Sequence, residues 1–127
     1  MDAKKLALLI RDLAENKKAE NLVVLDLRGL STIADYFVIA TGSSEPHLRA
    51  ILDEITEKLR DTHGLTPKAR DGRIPASWVV LDYYDVIFHA MRADTRQKYD
   101  LEGLWGDAPR IRPPRRPRRR VEAKASE

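Results

Sequence analysis

Gly42 and Ser43 stand between an apolar run and an amphipathic one, where backbone N–H groups at the start of a helix could hold a phosphate. Nucleotidyl transfer at such a place also needs two carboxylates on one strand face to carry magnesium. The acidic residues do not offer them: Asp53 and Glu54 are neighbours in a helical stretch, Asp71 stands alone, and Asp82 and Asp85 straddle a turn. A Gly-Ser pair ahead of a helix is more often a cap, and we read it as one. His47, His63 and His89 lack the close spacing of metal pairs, and there is no Ser-His-Asp pattern. With no cysteine, disulfides and thiolate metal sites are ruled out. The residues thus predict no catalytic group, no metal and no cofactor, and a protein that is not an enzyme.

Side chains suited to binding are concentrated in the last third. Trp78, Tyr83, Tyr99 and Trp105 can anchor an interface, and Asp82, Asp85 and Glu102 can meet a basic partner, with Arg96 fixing local geometry or meeting an acid. The plainer alternative is core packing, since Trp78 starts a strand and Trp105 lies in an apolar triplet. His89 alternates with apolar neighbours, which suits a partly buried imidazole or a place on the binding face. Asp26, Arg28 and Asp35 read as structural, holding the connection between two strands.

The net charge of +3 conceals an asymmetry. From Arg110 onward there are eight basic residues against two acidic ones, which leaves fifteen basic against eighteen acidic in residues 1–109. A mildly acidic body carries a basic tail. Arg112, Arg115, Arg116, Arg118, Arg119 and Arg120 are spaced closely enough to neutralise RNA phosphates, while the absence of interleaved aromatics argues against reading a sequence of bases. The alternative is a solvated, dispensable extension. Pro113, Pro114 and Pro117 interrupt it, and the segment has too little to bury to offset its ordering entropy, so residues 110–127 are expected to be disordered when free.

The elements that must position these residues follow from periodicity. Leu6, Leu9, Ile10 and Leu13 predict an amphipathic helix over residues 3–16, and Leu22–Leu27 and Tyr36–Thr41 are apolar runs of strand length. Ser44 is placed to cap a helix carrying Leu48, Ile51, Leu52, Ile55 and Leu59 and stopping at His63-Gly64. A short strand near Lys68 to Arg70 ahead of an Asp71-Gly72 turn comes next. Trp78–Asp82 and Val86–Met91 then flank Tyr83-Tyr84-Asp85 as a hairpin. Asp94 is placed to cap a short helix to about Tyr99, with Leu101, Leu104 and Trp105 as an apolar cluster after it. The sum is one α/β domain over residues 1–109, with a mixed sheet flanked by helices. The first apolar stretch is broken at Arg11 and Asp12, is too short to span a membrane and has no signal-cleavage pattern, so a soluble, cytoplasmic protein is expected.

Read together, Asp26-Leu27-Arg28-Gly29, Ala34–Ile39, Thr41–Ser44, Trp78–Tyr83, Asp85–His89, Arg96 with Tyr99, and Leu101–Trp105 resemble the Iojap-related ribosomal silencing factors over roughly residues 3–108. The sequence departs from that pattern at Pro46, where Arg is common, at Asp71, where Glu is usual, and at Tyr84, where Gly is frequent; the Arg-rich tail lies outside the shared domain. The resemblance implies a nucleotidyltransferase-like fold without catalytic residues, often a homodimer. It also implies docking on protein fourteen of the large ribosomal subunit, which blocks joining of the small one, and a possible part in late subunit assembly. On that reading the partner-binding residues are Trp78, Asp82, Tyr83, Asp85, His89, Arg96, Tyr99, Glu102 and Trp105. A ribosome assembly factor bound mainly through its tail and an enzyme of the nucleotidyltransferase fold are the alternatives.

Overall fold

A computed structural model describes residues 1–113. Helix α1 (Ala3–Asn16) begins where the Asp2 carboxylate accepts the Lys5 amide at 2.8 Å, a side-chain cap for an otherwise unpaired N–H. Its buried residues, Leu6, Ala7, Ile10, Leu13 and Ala14, recur at helical spacing and form one stripe. Strand β1 (Glu20–Asp26) follows, then β2 (Tyr36–Thr41), buried at every position. Helix α2 (Glu45–His63) is capped as the sequence predicts: Ser44 Oγ accepts the His47 amide at 3.1 Å, and Gly64 at φ +67° ends it with its N–H on the Arg60 carbonyl.

Strand β3 (Ala69–Arg73) and a single 3-10 turn (Ile74–Ala76) lead to β4 (Trp78–Asp82) and β5 (Val86–Met91). The strand order is β1-β2-β5-β4-β3. Only β2 and β5 run parallel and the other neighbours are antiparallel, so the sheet is mixed and is flanked by helices. Two short helices, α3 (Ala93–Tyr99) and α4 (Leu101–Leu104), complete the regular structure of the described residues.

The alternation of side chains along each strand divides the interior in two. One face packs under α1 and α2 and joins Val38, Ala40, Val79, Leu81, Phe88 and Ala90 to the helix stripes, including Leu48, Ile51, Leu52 and Ile55. Truncating one of these fully buried leucines or isoleucines to alanine costs about 2–5 kcal/mol. The other face gathers Leu25, Phe37, Ile39, Ile87 and Met91 with Leu101 and Ala108 from the last segment of the fold.

Four local expectations are corrected. Asp71-Gly72 is not a turn but the middle of β3, paired with Val80 and Val79; the chain reverses instead at Ile74–Ala76. Gly72 is needed because its φ is +88° and a Cβ there would lie 2.2 Å from the Trp78 carbonyl oxygen. Asp94 lies inside the first turn of α3, where it accepts the Thr95 amide, and Arg92 takes the cap position. Leu104 is 73% exposed, outside the cluster that holds Leu101 and Trp105. The body continues past residue 109: the Asp26 amide donates to the Pro109 carbonyl at 2.8 Å, the Ile111 amide to Val24 at 2.8 Å, and Arg110 bridges to Leu25. This short strap covers the outer edge of β1, where unpaired backbone groups would otherwise be left. Arg115, Arg116, Arg118, Arg119 and Arg120 lie outside the described residues.

Candidate interaction face

The second face of the sheet is covered unevenly. Helices α3 and α4 and the chain to Ala108 lie over β1, β2 and β5, where Phe37, Ile39, Ile87, His89 and Met91 are buried. Beyond β5, the residues of β4 on the same face, Trp78, Val80 and Asp82, remain half-exposed, and β3 beside them is mostly exposed. Strand alternation therefore leaves a strip along β4 open to a partner. At its upper end Trp78, Val80, Asp71 and Gly72 meet Thr95, Lys98 and Tyr99 of α3 around a groove of about 460 Å³. The rings of Trp78 and Tyr99 pack at 4.9 Å, and Tyr99 is 51% exposed.

The groove is held from behind by two polar arrangements. In the first, the Trp78 indole N–H donates to His89 Nδ1 at 3.2 Å. An indole nitrogen can only donate, so Nδ1 accepts and the proton of the neutral imidazole sits on Nε2, which has no partner among the described residues. The ring is 6% exposed and meets Phe37 edge-on at 4.6 Å; burial pushes its pKa down to about 4. In the second, the buried Arg96 guanidinium donates to both Glu102 oxygens, at 2.9 and 3.1 Å, and to Thr41 Oγ1 at 2.9 Å. Arg96 holds the Glu102 carboxyl below its usual range. This fork ties α3 and α4 to the end of β2 and so fixes Tyr99 over Trp78.

The residues singled out in the sequence therefore separate into groups. Trp78, Tyr99 and Asp82 line or border the open strip. Asp85 is exposed at the β4–β5 turn, while the Asp82 carboxylate accepts the Tyr84 amide there at 2.8 Å. His89, Arg96 and Glu102 lie behind the surface and position it. Trp105 packs edge-on against Phe37 at 6.0 Å as part of the cover. Tyr83 departs from expectation: it is 4% exposed, lies in the core under α1 and α2, and its burial raises the phenol to about 12. It cannot be a surface anchor in this fold. Val80, Asp71 and Lys98 were not among the partner-binding residues read from sequence; the alternation of Trp78, Val80 and Asp82 was the signal for the first of them.

The Gly42-Ser43 turn is engaged by the chain itself. The Gly42 amide donates to the Met91 carbonyl and the Ser43 amide to His47 Nδ1 at 2.8 Å, while His47 Nε2 meets the Lys17 carbonyl at 2.7 Å. A Cβ on Gly42 would lie 2.7 Å from the Leu48 side chain, so this glycine lets α2 pack close. Asp26 grips Arg28 through two side-chain bonds of 2.9 and 2.7 Å and accepts its amide, a local brace for the β1–β2 connection.

The family model described as "Ribosomal silencing factor during starvation" matches residues 1–127. The chain belongs to the ribosomal silencing factor family. It is 38% identical over 109 residues to ribosomal silencing factor RsfS of Bacillus subtilis, an alignment covering 86% of this chain and 92% of that one. It is 40% identical over 111 residues to the RsfS of Halalkalibacterium halodurans, covering 87% and 94%. Among solved structures, a protein from Chromobacterium violaceum superposes with a TM-score of 0.78 at 27% identity, covering 91% of this chain and 92% of that one. The Iojap protein of Arabidopsis thaliana chloroplasts is a further relative, 32% identical over 116 residues, covering 89% of this chain and 48% of that one.

Proposed function

We propose that this protein is a noncatalytic, cytoplasmic translational repressor that binds the large ribosomal subunit through its protein fourteen and so blocks joining of the small subunit. Family membership carries the ribosomal part of this reading. A mouse relative, 26% identical, is named for assembly of the mitochondrial ribosomal large subunit, which supports the choice of subunit and a role in late assembly. The open strip supports docking as the mode of action: two aromatic rings, a floor of Val80 and Gly72, and charged groups at the rim have the composition of an interface centre. Asp71 and Asp82 on the strip suit a basic protein better than RNA phosphates.

The basic tail from Arg112 serves as a nonspecific rRNA anchor that adds to the protein contact, and the free protein is a homodimer. Pulling down protein fourteen alone with this chain, and with Tyr99→Ala, tests the docking: capture by the parent and loss in the variant are expected. Equal capture of both would remove the strip from the interface, and no capture of either would sink the assignment of this partner.

A further inference from the structure

Tyr84 occupies the β4–β5 turn at φ +71°, a left-handed backbone conformation that an L-residue with a bulky side chain adopts at a cost glycine does not meet. The turn is tightly specified around it. The Asp82 carboxylate takes the Tyr84 amide at 2.8 Å, and the Tyr83 amide donates to the Val86 carbonyl at 2.9 Å. Despite that cost the ring is not used by the core: Tyr84 is 63% exposed, with the Lys68 ammonium 5.8 Å from the ring centre.

The surroundings are also apolar and exposed. The Asp35 and Tyr36 amides both donate to the Asp85 carbonyl, at 2.8 and 3.1 Å, which brings the β1–β2 connection to this end of the sheet. That connection shows Ile33 at 69% and Leu30 at 46% exposure. The turn directly follows β4 (Trp78–Asp82), whose open strip begins at Trp78, so that strand's five residues, about 17 Å of extended chain, lie between the two aromatic ends. A face of that length suits a protein interface of ordinary size. Asp71, Asp82 and Asp85 lie along it, with Lys68 and Lys98 at its margins, and carboxylates on the strip favour a protein over a nucleic acid.

We infer that Tyr84 is a second anchor of the partner-binding face, held at the far end of β4 to pack against an apolar side chain of the protein partner. This rests on the large-subunit reading above and extends its interface beyond the Trp78–Tyr99 groove. The test is affinity for purified large ribosomal subunits, with melting curves, for the parent chain, Tyr84→Gly and Tyr84→Asn; both replacements accept the left-handed turn without an aromatic ring. Affinity should fall about fivefold or more in both variants, while the melting temperature of Tyr84→Gly is no lower than that of the parent. Undiminished affinity in a folded variant overturns the anchor and leaves the large-subunit reading standing. Loss of self-association with unchanged subunit affinity also overturns it, assigning the ring to a contact between copies. A parent chain that does not bind the subunit at all removes the underlying reading and this inference with it.

Discussion

Trp78 and His89 are joined across neighbouring strands by an indole N–H donated to Nδ1 at 3.2 Å, so the aromatic floor of the open groove is fastened to a buried imidazole that must stay neutral to accept it. The bond links the protonation of a core residue to the shape of the candidate binding surface.

Acid should therefore loosen the fold. Burial pushes the imidazole from 6.5 in the unfolded chain down to about 4 in the fold, so between these values the unfolded chain binds the extra proton and stability rises with pH. The stabilising difference is complete above pH 6.5 and is lost as pH falls toward 4, on the order of 3 kcal/mol in all. Denaturant melts across pH 4–7 for the parent and His89→Gln check this: the variant should show a visibly flatter slope. Parallel slopes would mean that His89 does not govern acid sensitivity.

Removing the Glu102 carboxylate leaves the buried Arg96 guanidinium with Thr41 as its remaining side-chain partner among the described residues. Breaking such a pair on one side costs about 3–5 kcal/mol when fully buried, and somewhat less here because Glu102 keeps partial contact with water. Glu102→Ala should unfold at clearly lower denaturant and lose partner binding through the displaced α3. A variant with parent-like stability would show that the fork is not what holds α3 and α4.

Gly72→Ala should be among the most damaging small substitutions. The added methyl meets the Trp78 carbonyl at 2.2 Å on a backbone at φ +88°, so β3 must shift away from β4. A loss of about 2 kcal/mol or more in urea unfolding is expected, with a change in near-ultraviolet circular dichroism from Trp78. Unchanged melting would contradict the close approach of the two strands.

Two truncations separate the strap from the tail. Ending the chain after Pro113 keeps the Ile111–Val24 and Asp26–Pro109 bonds, so stability should hold while subunit affinity weakens and its salt dependence becomes shallower. Ending it after Pro109 removes Ile111 from β1 and should lower the melting temperature as well. Equal stability of the two would deny the strap a structural role.

Much of this fold was legible locally. Tyr36–Thr41 is a continuous apolar run because both its faces are covered, and the Ser44 cap with Gly64 at the far end marked α2 at both termini. Resemblance placed the family, but not the side chains. Tyr83 looked like a surface anchor, yet β4 alternation carries it into the helix-covered core while Asp82 faces outward. Arg96 could not be placed from sequence because its hydroxyl partner, Thr41, lies 55 residues away. Gly72 was read as a turn because its punctuation is the same whether glycine reverses a chain or lets two strands touch. Tyr84 stands where Gly is frequent in the family pattern, which fits a left-handed turn, but the exposure of its ring emerges only from the closed hairpin.

Occlusion of the large subunit is put to the test by subunit joining. Purified ribosomal subunits are mixed at magnesium levels that permit joining, with and without this protein, and resolved on a sucrose gradient with every fraction probed for the protein. If occlusion holds, the protein travels with the large subunit and whole ribosomes fail to form, with joining restored by Trp78→Ala combined with Tyr99→Ala. Whole ribosomes forming undiminished at saturating protein, or the protein remaining at the top of the gradient, would contradict it.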